Sequence, residues 1–397
     1  MRDEAEHKSD RAAVGFGARR RRGAEGGGGV RHLYVHLPFC AHRCGYCDFV
    51  TAVGREAQHG SYVDAVLAEL ELGRGLFASR LETVFLGGGT PTFTEPAALE
   101  RLLTGLPDAD EVTVEANPET VTPSLARLLS RNRVNRVSLG AQSFQPRLLS
   151  VLERRAQPET VRNAVYVLRD AGFDNISLDL VYGIPGQGPS DLDADLAEAL
   201  ALEPEHVSCY ELEAKPGTRF THVHGAELER QAESMETYFE RVVAALTTAG
   251  YRWYETASFC RSADGRDLRA RHNLAYWLGR DYLGLGIGAV STIDGLRRRN
   301  APRLAPYLAA LGAGQVPPRE LEPLDDDTRR RERVMLGLRL DEPLSLAGLE
   351  EAVDPDALAR LERLGLAATA GANGHRTLAL TERGRFLGGG VTADLLA

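Results

Sequence analysis

Between Leu33 and Tyr210 the chain repeats one pattern, a short apolar run followed by an amphipathic stretch. Leu33 to Leu37 reads as a strand that stops at Pro38, which has no N–H to give a ladder. In 58–77, Tyr62, Val66 and Leu70 fall four apart on one face, the spacing of an amphipathic helix. Thr83 to Leu86 is the next strand and runs into Gly87-Gly88-Gly89-Thr90-Pro91-Thr92. Glu111 to Ala116 is a strand closed by Asn117-Pro118, 123–131 suits a helix, and Arg136 to Leu139 a strand. Residues 158–171 read as a helix stopped by Gly172, and Ile176 to Leu180 as a strand before the turn Gly183-Ile184-Pro185-Gly186. A helix over 190–202 and a strand from His206 to Tyr210 complete the series. About six such alternations predict an α/β fold of parallel βαβ units. Units of this kind close towards a barrel, with functional groups at the C-terminal ends of the strands. The polar motifs of this chain fall there.

The first strand leads into Cys40-Ala41-His42-Arg43-Cys44-Gly45-Tyr46-Cys47. Three thiolates at CxxxCxxC spacing can hold three irons of a [4Fe–4S] cluster and leave the fourth iron open to a substrate or cofactor. A zinc site would want a fourth Cys or His, and His36 and His42 are the neighbours that could supply one. No secretory signal precedes the loop, which disfavours a disulfide. Cys209 and Cys260 stand in apolar, strand-like contexts and read as core thiols rather than a fourth ligand. Five cysteines, three of them in one motif, predict a reducing, cytoplasmic setting. A net charge of −9 argues against a nucleic-acid partner. No apolar run approaches the ~20 residues that span a bilayer.

The string from Tyr34 through His36, Pro38, Phe39 and Cys40 to Tyr46-Cys47-Asp48-Phe49 resembles the radical S-adenosylmethionine (SAM) proteins. Among them it is similar to the HemN-like family, that of the oxygen-independent coproporphyrinogen III dehydrogenases. The ending Cys47-Asp48-Phe49 resembles its HemW-type heme chaperone branch. The resemblance implies an incomplete (β/α)6 radical SAM barrel with a smaller, winged-helix-like α+β domain at the C-terminus. It also implies a cluster on Cys40, Cys44 and Cys47 and a SAM site on the strand ends. Gly88, Gly89 and Thr90 match the turn that holds the SAM amino group, and Tyr34 matches a further contact. Glu115 in VEANP, Gln142 in LGAQSF, Arg154 in LERR and Asp179 in LDLVYGIPGQ align with the family pattern. Arg154 would clamp the SAM carboxylate in bidentate fashion. Glu115, Gln142 and Asp179 would meet its ammonium and ribose diol. Taken without the family, the glycine run is equally a tight turn, and each polar residue is more often a cap or surface group. One departure stands out. Where the family shows LGRxH, this chain has Leu152-Glu153-Arg154-Arg155-Ala156, so the clamp is kept, while the glycine is Glu153 and the histidine Ala156.

Further on, Gln231 to Gly250 reads as one long helix, with Met235, Tyr238, Phe239, Val242, Val243 and Leu246 in the core. Tyr254-Glu255-Thr256-Ala257-Ser258-Phe259 matches the HemW-type pattern in part, and Arg271-His272-Asn273-Leu274-Ala275-Tyr276-Trp277 carries its HNxxYW string. His272 can then be an axial heme ligand, with Tyr276 and Trp277 stacked on the porphyrin. The other reading is a histidine that caps a turn beside core aromatics. The glycines after Tyr282 suit a close-packed bend near the SAM site.

The expected domains are a disordered extension over 1–30, a partial barrel over 31–300, and a linker with a winged-helix-like unit over 301–397. The extension contains Arg19 to Arg22 and Gly26 to Gly29. The linker is expected from Pro302, Pro306, Pro317, Pro318 and Pro323. Helices over 326–340, 345–352 and 355–364 and a strand at Leu378 to Leu380 make up the last unit, a lid or partner surface. The function implied is a heme chaperone that passes heme to apo-hemoproteins, membrane-associated ones included, and that can form a homodimer. Phe49 in place of a fourth cysteine and the HNxxYW string favour it over a coproporphyrinogen dehydrogenase, the alternative. A DNA-binding metal sensor is disfavoured by the charge.

Overall fold

The computed structural model describes residues 29–215, 218–262, 265–371 and 375–396. The extension expected over 1–30 lies outside them except for Gly29 and Val30, and Val30 is buried and bridged to Phe77.

The strands are β1 (His32–Leu37), β2 (Phe39–Cys40), β3 (Ala52–Val53), β4 (Leu81–Gly88), β5 (Ala109–Ala116) and β6 (Arg136–Gln142). They continue with β7 (Ile176–Tyr182), β8 (His206–Glu211), β9 (Tyr251–Glu255), β10 (Ser258–Arg261), β11 (Tyr282–Leu285) and β12 (Val290–Ile293). Then come β13 (Leu296–Asn300), β14 (Arg319–Pro323), β15 (Leu344–Ser345), β16 (Ala367–Ala370) and β17 (Thr377–Leu380). One sheet takes the order β14-β13-β12-β11-β1-β4-β5-β6-β7-β8-β10-β9. Pairing from β11 through β1 to β8 is parallel, and both flanks are antiparallel. The two end strands, β14 and β9, do not pair with each other, so the barrel is open. The crossovers carry α1 (His59–Gly73), α2 (Pro96–Gly105), α3 (Pro123–Arg131), α4 (Pro146–Val151), α5 (Pro158–Asp170) and α6 (Pro189–Ala201). Five of these begin on proline, whose fixed φ suits a first helical position that needs no N–H. Glu95 and Thr122 cap α2 and α3 by accepting from the freed backbone N–H groups.

The parallel strands alternate, which fully covered parallel strands rarely do. Leu33, Val35, Val84, Leu86, Val112, Val114, Val137, Leu139, Leu178 and Leu180 join the core under the helices. Each such side chain contributes about 1.5–3 kcal/mol on burial. The intervening positions are mostly polar. Their registers run His32–Thr83–Glu111, Thr113–Arg136, Glu115–Ser138–Ser177–His206 and Gly140–Asp179–Ser208. One face of the sheet therefore holds the helices, and the other lines a polar lumen.

Three expectations need correction. Gln231 to Gly250 is not one helix: α7 (Arg219–Gln231) and α8 (Met235–Thr248) meet at a 3-10 turn. Gln231 is pinned there, its amide donating to the carbonyls of Ile184 and Gln187. Residues 301–323 are not a plain linker. They form α10 (Leu304–Gly312) and β14, which pairs along all of β13, with its prolines at the ends of these elements. Residues 345–352 do not form a helix, since Gly348 takes φ +77° and only Glu350–Ala352 coils, as a 3-10 turn. The last unit otherwise has the expected make-up. It comprises α11 (Asp326–Gly337), α12 (Pro355–Arg363), α13 (Glu382–Phe386) and α14 (Gly388–Leu395) around the antiparallel sheet β15-β17-β16, with its own apolar cluster. A seven-residue helix, α9 (Arg271–Trp277), precedes β11.

Candidate functional site

The cysteine loop leaves β1 at Pro38 and is pinched where β2 pairs in parallel with β3. Cys40, Cys44 and Cys47 all line one cavity of about 380 Å³ at the C-terminal ends of the parallel strands. Burial pushes the Cys40 and Cys44 thiols up, while the neighbouring Arg154 guanidinium pulls both down. The Cys40 Sγ lies 3.5 Å from Thr90 Oγ1, and an Arg154 amino group approaches Cys44 Sγ at 3.9 Å. Among the described residues, no three His, Cys, Asp or Glu side chains converge on a single ion. Three thiols facing one cavity from separate positions suit a cluster, in which each thiolate takes its own iron, better than a four-coordinate zinc. Cys209 and Cys260 are buried among apolar groups, and burial drives both thiols far above the ordinary range.

The turn after β4 forms the next wall. Gly88 takes φ +112°, and a Cβ there would meet the His36 ring at 2.5 Å. A Cβ on Gly89 would meet the Pro38 carbonyl at 2.6 Å. The Gly88 N–H donates to Glu115, the Gly89 N–H to the Leu37 carbonyl and the Thr90 N–H to the Phe39 carbonyl. With its N–H groups engaged, the turn's backbone can offer a ligand only carbonyl acceptors, which suits an ammonium.

Glu115, Gln142, Arg154 and Asp179 all reach the same cavity. Arg154 donates to Asn117 Oδ1 and the Gly140 carbonyl at 2.9 Å, and its Nε is buried without a partner. Burial, helped by the nearby Asp179, pushes the Glu115 carboxyl up to about 7. Burial also raises Asp179, which accepts from Ser138 at 2.9 Å. Gln142 ends β6 at φ +65°, where the ladder to β7 shifts register. Tyr34 does not line the cavity. Its hydroxyl bonds His36 Nδ1 at 3.0 Å, and it supports the ring behind Gly88.

The HNxxYW string forms α9, with His272 turned into the barrel. His272 is only 1% exposed inside the open barrel. Its Nδ1 bonds Thr83 Oγ1 at 2.7 Å and its Nε2 bonds the Tyr276 hydroxyl at 2.8 Å. Phe85 stacks on the ring at 5.2 Å. The Glu111 carboxylate accepts from the Arg271 and His272 N–H groups at the start of α9. Trp277 is covered by the Arg339 guanidinium, 4.3 Å from its ring centre, and not by open space for a porphyrin. This helix closes the floor of the lumen, and Asn273 reaches the cavity from it.

Sequence reasoning missed Asn117, Ser138, Arg136 and Tyr210, which line the cavity as well. The period of two was the available signal, because Arg136, Ser138 and Gly140 alternate with the buried Val137 and Leu139. Arg136, 2% exposed, faces the burial-raised Glu111, Glu115 and Asp179.

Residues 34–199 match the family model of the radical SAM superfamily, and residues 324–387 that of the HemN C-terminal domain. The heme chaperone HemW of Mycobacterium tuberculosis (strain H37Rv) is 36% identical over 379 residues, covering 92% of this chain and 94% of that protein. The heme chaperone HemW of Bacillus subtilis (strain 168) is 30% identical over 392 residues, covering 92% and 99%. The solved coproporphyrinogen III oxidase HemN of Escherichia coli, a radical SAM enzyme, superposes with a TM-score of 0.77 at 24% identity, covering 92% and 90%, a likeness of fold. With the open parallel barrel and the cysteine loop at its strand ends, these likenesses show that the chain belongs to the radical SAM superfamily and, within it, to the HemW family.

Proposed function

We propose that this protein is a heme chaperone built on a radical SAM core, and that it binds heme and hands it to apo-hemoproteins. The observation that carries the core of this reading is the single cavity shared by three thiols, a glycine turn whose N–H groups are engaged, paired carboxylates and a buried guanidinium. In it Cys40, Cys44 and Cys47 would hold a [4Fe–4S] cluster, which when bound supplies an iron with an open position. Arg154 would orient the SAM carboxylate from its anchor on Asn117 and Gly140. Glu115 and Asp179 would face the cationic and hydroxyl groups, and Gln142 would add an amide at the rim. Pro91, Phe93 and Phe85 exclude water from the turn side.

Heme binding is supported by the names of the relatives. Recipients would be apo-hemoproteins, membrane-associated ones included, and the protein could form a homodimer. No helix among the described residues is long and apolar enough to cross a membrane. The test is an anaerobic heme titration of the cluster-loaded protein beside an assay with coproporphyrinogen III, reductant and SAM. We expect saturable heme binding with transfer to an apo-hemoprotein, and no decarboxylation. Protoporphyrinogen at enzyme-like rates would instead identify a dehydrogenase.

A further inference from the structure

We infer that Glu153 is a positioning residue that, with Arg219, latches helix α7 onto the cysteine loop. Its role towards a cluster rests on the cluster reading above. Glu153 follows α4 at φ +57°, the left-handed region that favours glycine. Its N–H donates to the Ser150 carbonyl, and the Arg154 N–H to the Leu149 carbonyl, closing the helix end. A glutamate is strained there, yet every part of it has a partner. Its carbonyl accepts from His42 Nε2 at 2.8 Å. Its carboxylate lies against Gly45, where a Cβ would come within 3.1 Å. Both carboxylate oxygens pair with Arg219, the first residue of α7.

The next residue, Phe220, is buried and meets the Tyr46 ring edge-on at 6.3 Å. Phe220 also joins Leu148, Leu152, Val181, Ile184 and Leu212 in an apolar cluster separate from the main core. One side chain therefore ties three elements together: the loop that carries the three cysteines, the end of α4 that presents Arg154, and the start of α7. Removing the carboxylate frees α7 to lift, which exposes Tyr46 and the loop. The same change to glycine relieves the backbone, so fold stability and loop closure move in opposite directions.

The test compares the wild type with Glu153→Gly, Arg219→Glu and the charge-swapped pair Glu153→Arg with Arg219→Glu. In the cluster-free proteins, amide exchange over 41–47 and 219–228 reads the latch directly. Exchange there should be about two- to fivefold faster in both single variants, the size expected of one partly exposed ion pair. The swapped pair should return towards the wild-type rate. In cluster-loaded protein, loss of iron to a chelator should follow the same order, and added salt should speed it in the wild type and the swapped pair but not in Glu153→Gly. The denaturation midpoint of Glu153→Gly should equal or exceed that of the wild type. Unchanged exchange in both single variants, or no recovery in the swapped pair, would overturn the latch. A wild type that takes up no cluster, with the exchange pattern intact, would overturn the cluster reading and leave the latch standing.

Discussion

Arg154 is the residue whose role is most sharply defined. Its guanidinium is anchored on Asn117 and Gly140, with a buried Nε left over, so it is pre-set for an anionic group. Arg154→Ala should weaken SAM binding by about 2–4 kcal/mol, as for one side of a desolvated charge pair. Calorimetry on reconstituted protein checks this, and equal affinity would move the clamp elsewhere. Glu115 gives a pH test. Its folded carboxyl is raised to about 7, chiefly by burial and then by Asp179. The folded protein thus keeps a proton that the unfolded chain has lost, and this group's contribution to stability falls as pH rises towards 7. A cationic ligand prefers the ionised form. SAM binding at pH 7 should therefore release protons, and affinity should fall as pH drops below 7. Calorimetry in two buffers of different ionisation enthalpy reads the release, and Glu115→Gln should abolish it.

Among the elements, α9 is the one held most by distant partners. His272 bridges β4 and α9 through Thr83 and Tyr276, and burial pushes its imidazole down to about 3. Below the ordinary imidazole range, the unfolded chain takes up a proton that folded His272 refuses. Stability from this group is therefore present at pH 7 and is lost as pH falls from about 6.5 towards 3. His272→Ala should cost about 2–4 kcal/mol by leaving a cavity and stranding the Tyr276 hydroxyl, while Thr83 keeps His32. It should flatten that acid limb in denaturant titrations. The parallel strands were legible because β1 and β4 to β8 each keep an apolar set at period two and end in a breaker such as Pro38 or Asn117-Pro118. The residues proposed for SAM were legible through the family resemblance, which their place on or after successive strands supports. The HNxxYW helix was not, because partners at sequence distances of 161 to 189, Glu111 and Thr83, decide which way its histidine points. β14 was hidden by its flanking prolines, which read as linker until the β13 partner is known.

Across the whole molecule, the C-terminal unit is bolted to the barrel by arginines. Arg339 pairs with the buried Glu255 at 2.6 Å and covers Trp277, and Arg385 lies 3.6 Å over the Trp253 ring and donates to the Trp253 carbonyl. Arg339→Ala leaves Glu255 buried without its cation and should lower stability by about 2 kcal/mol, since Arg339 is itself partly exposed. The comparison of denaturation midpoints with Glu255→Gln separates charge from packing. The claim that organises all of this is that the loop at the strand ends holds a cluster. Iron and sulfide analysis of wild type and Cys44→Ala, both reconstituted without air, tests it most directly. The account predicts about four irons per wild-type chain, lost almost entirely in Cys44→Ala and retained in Cys209→Ala and Cys260→Ala. Full iron content in Cys44→Ala would contradict it.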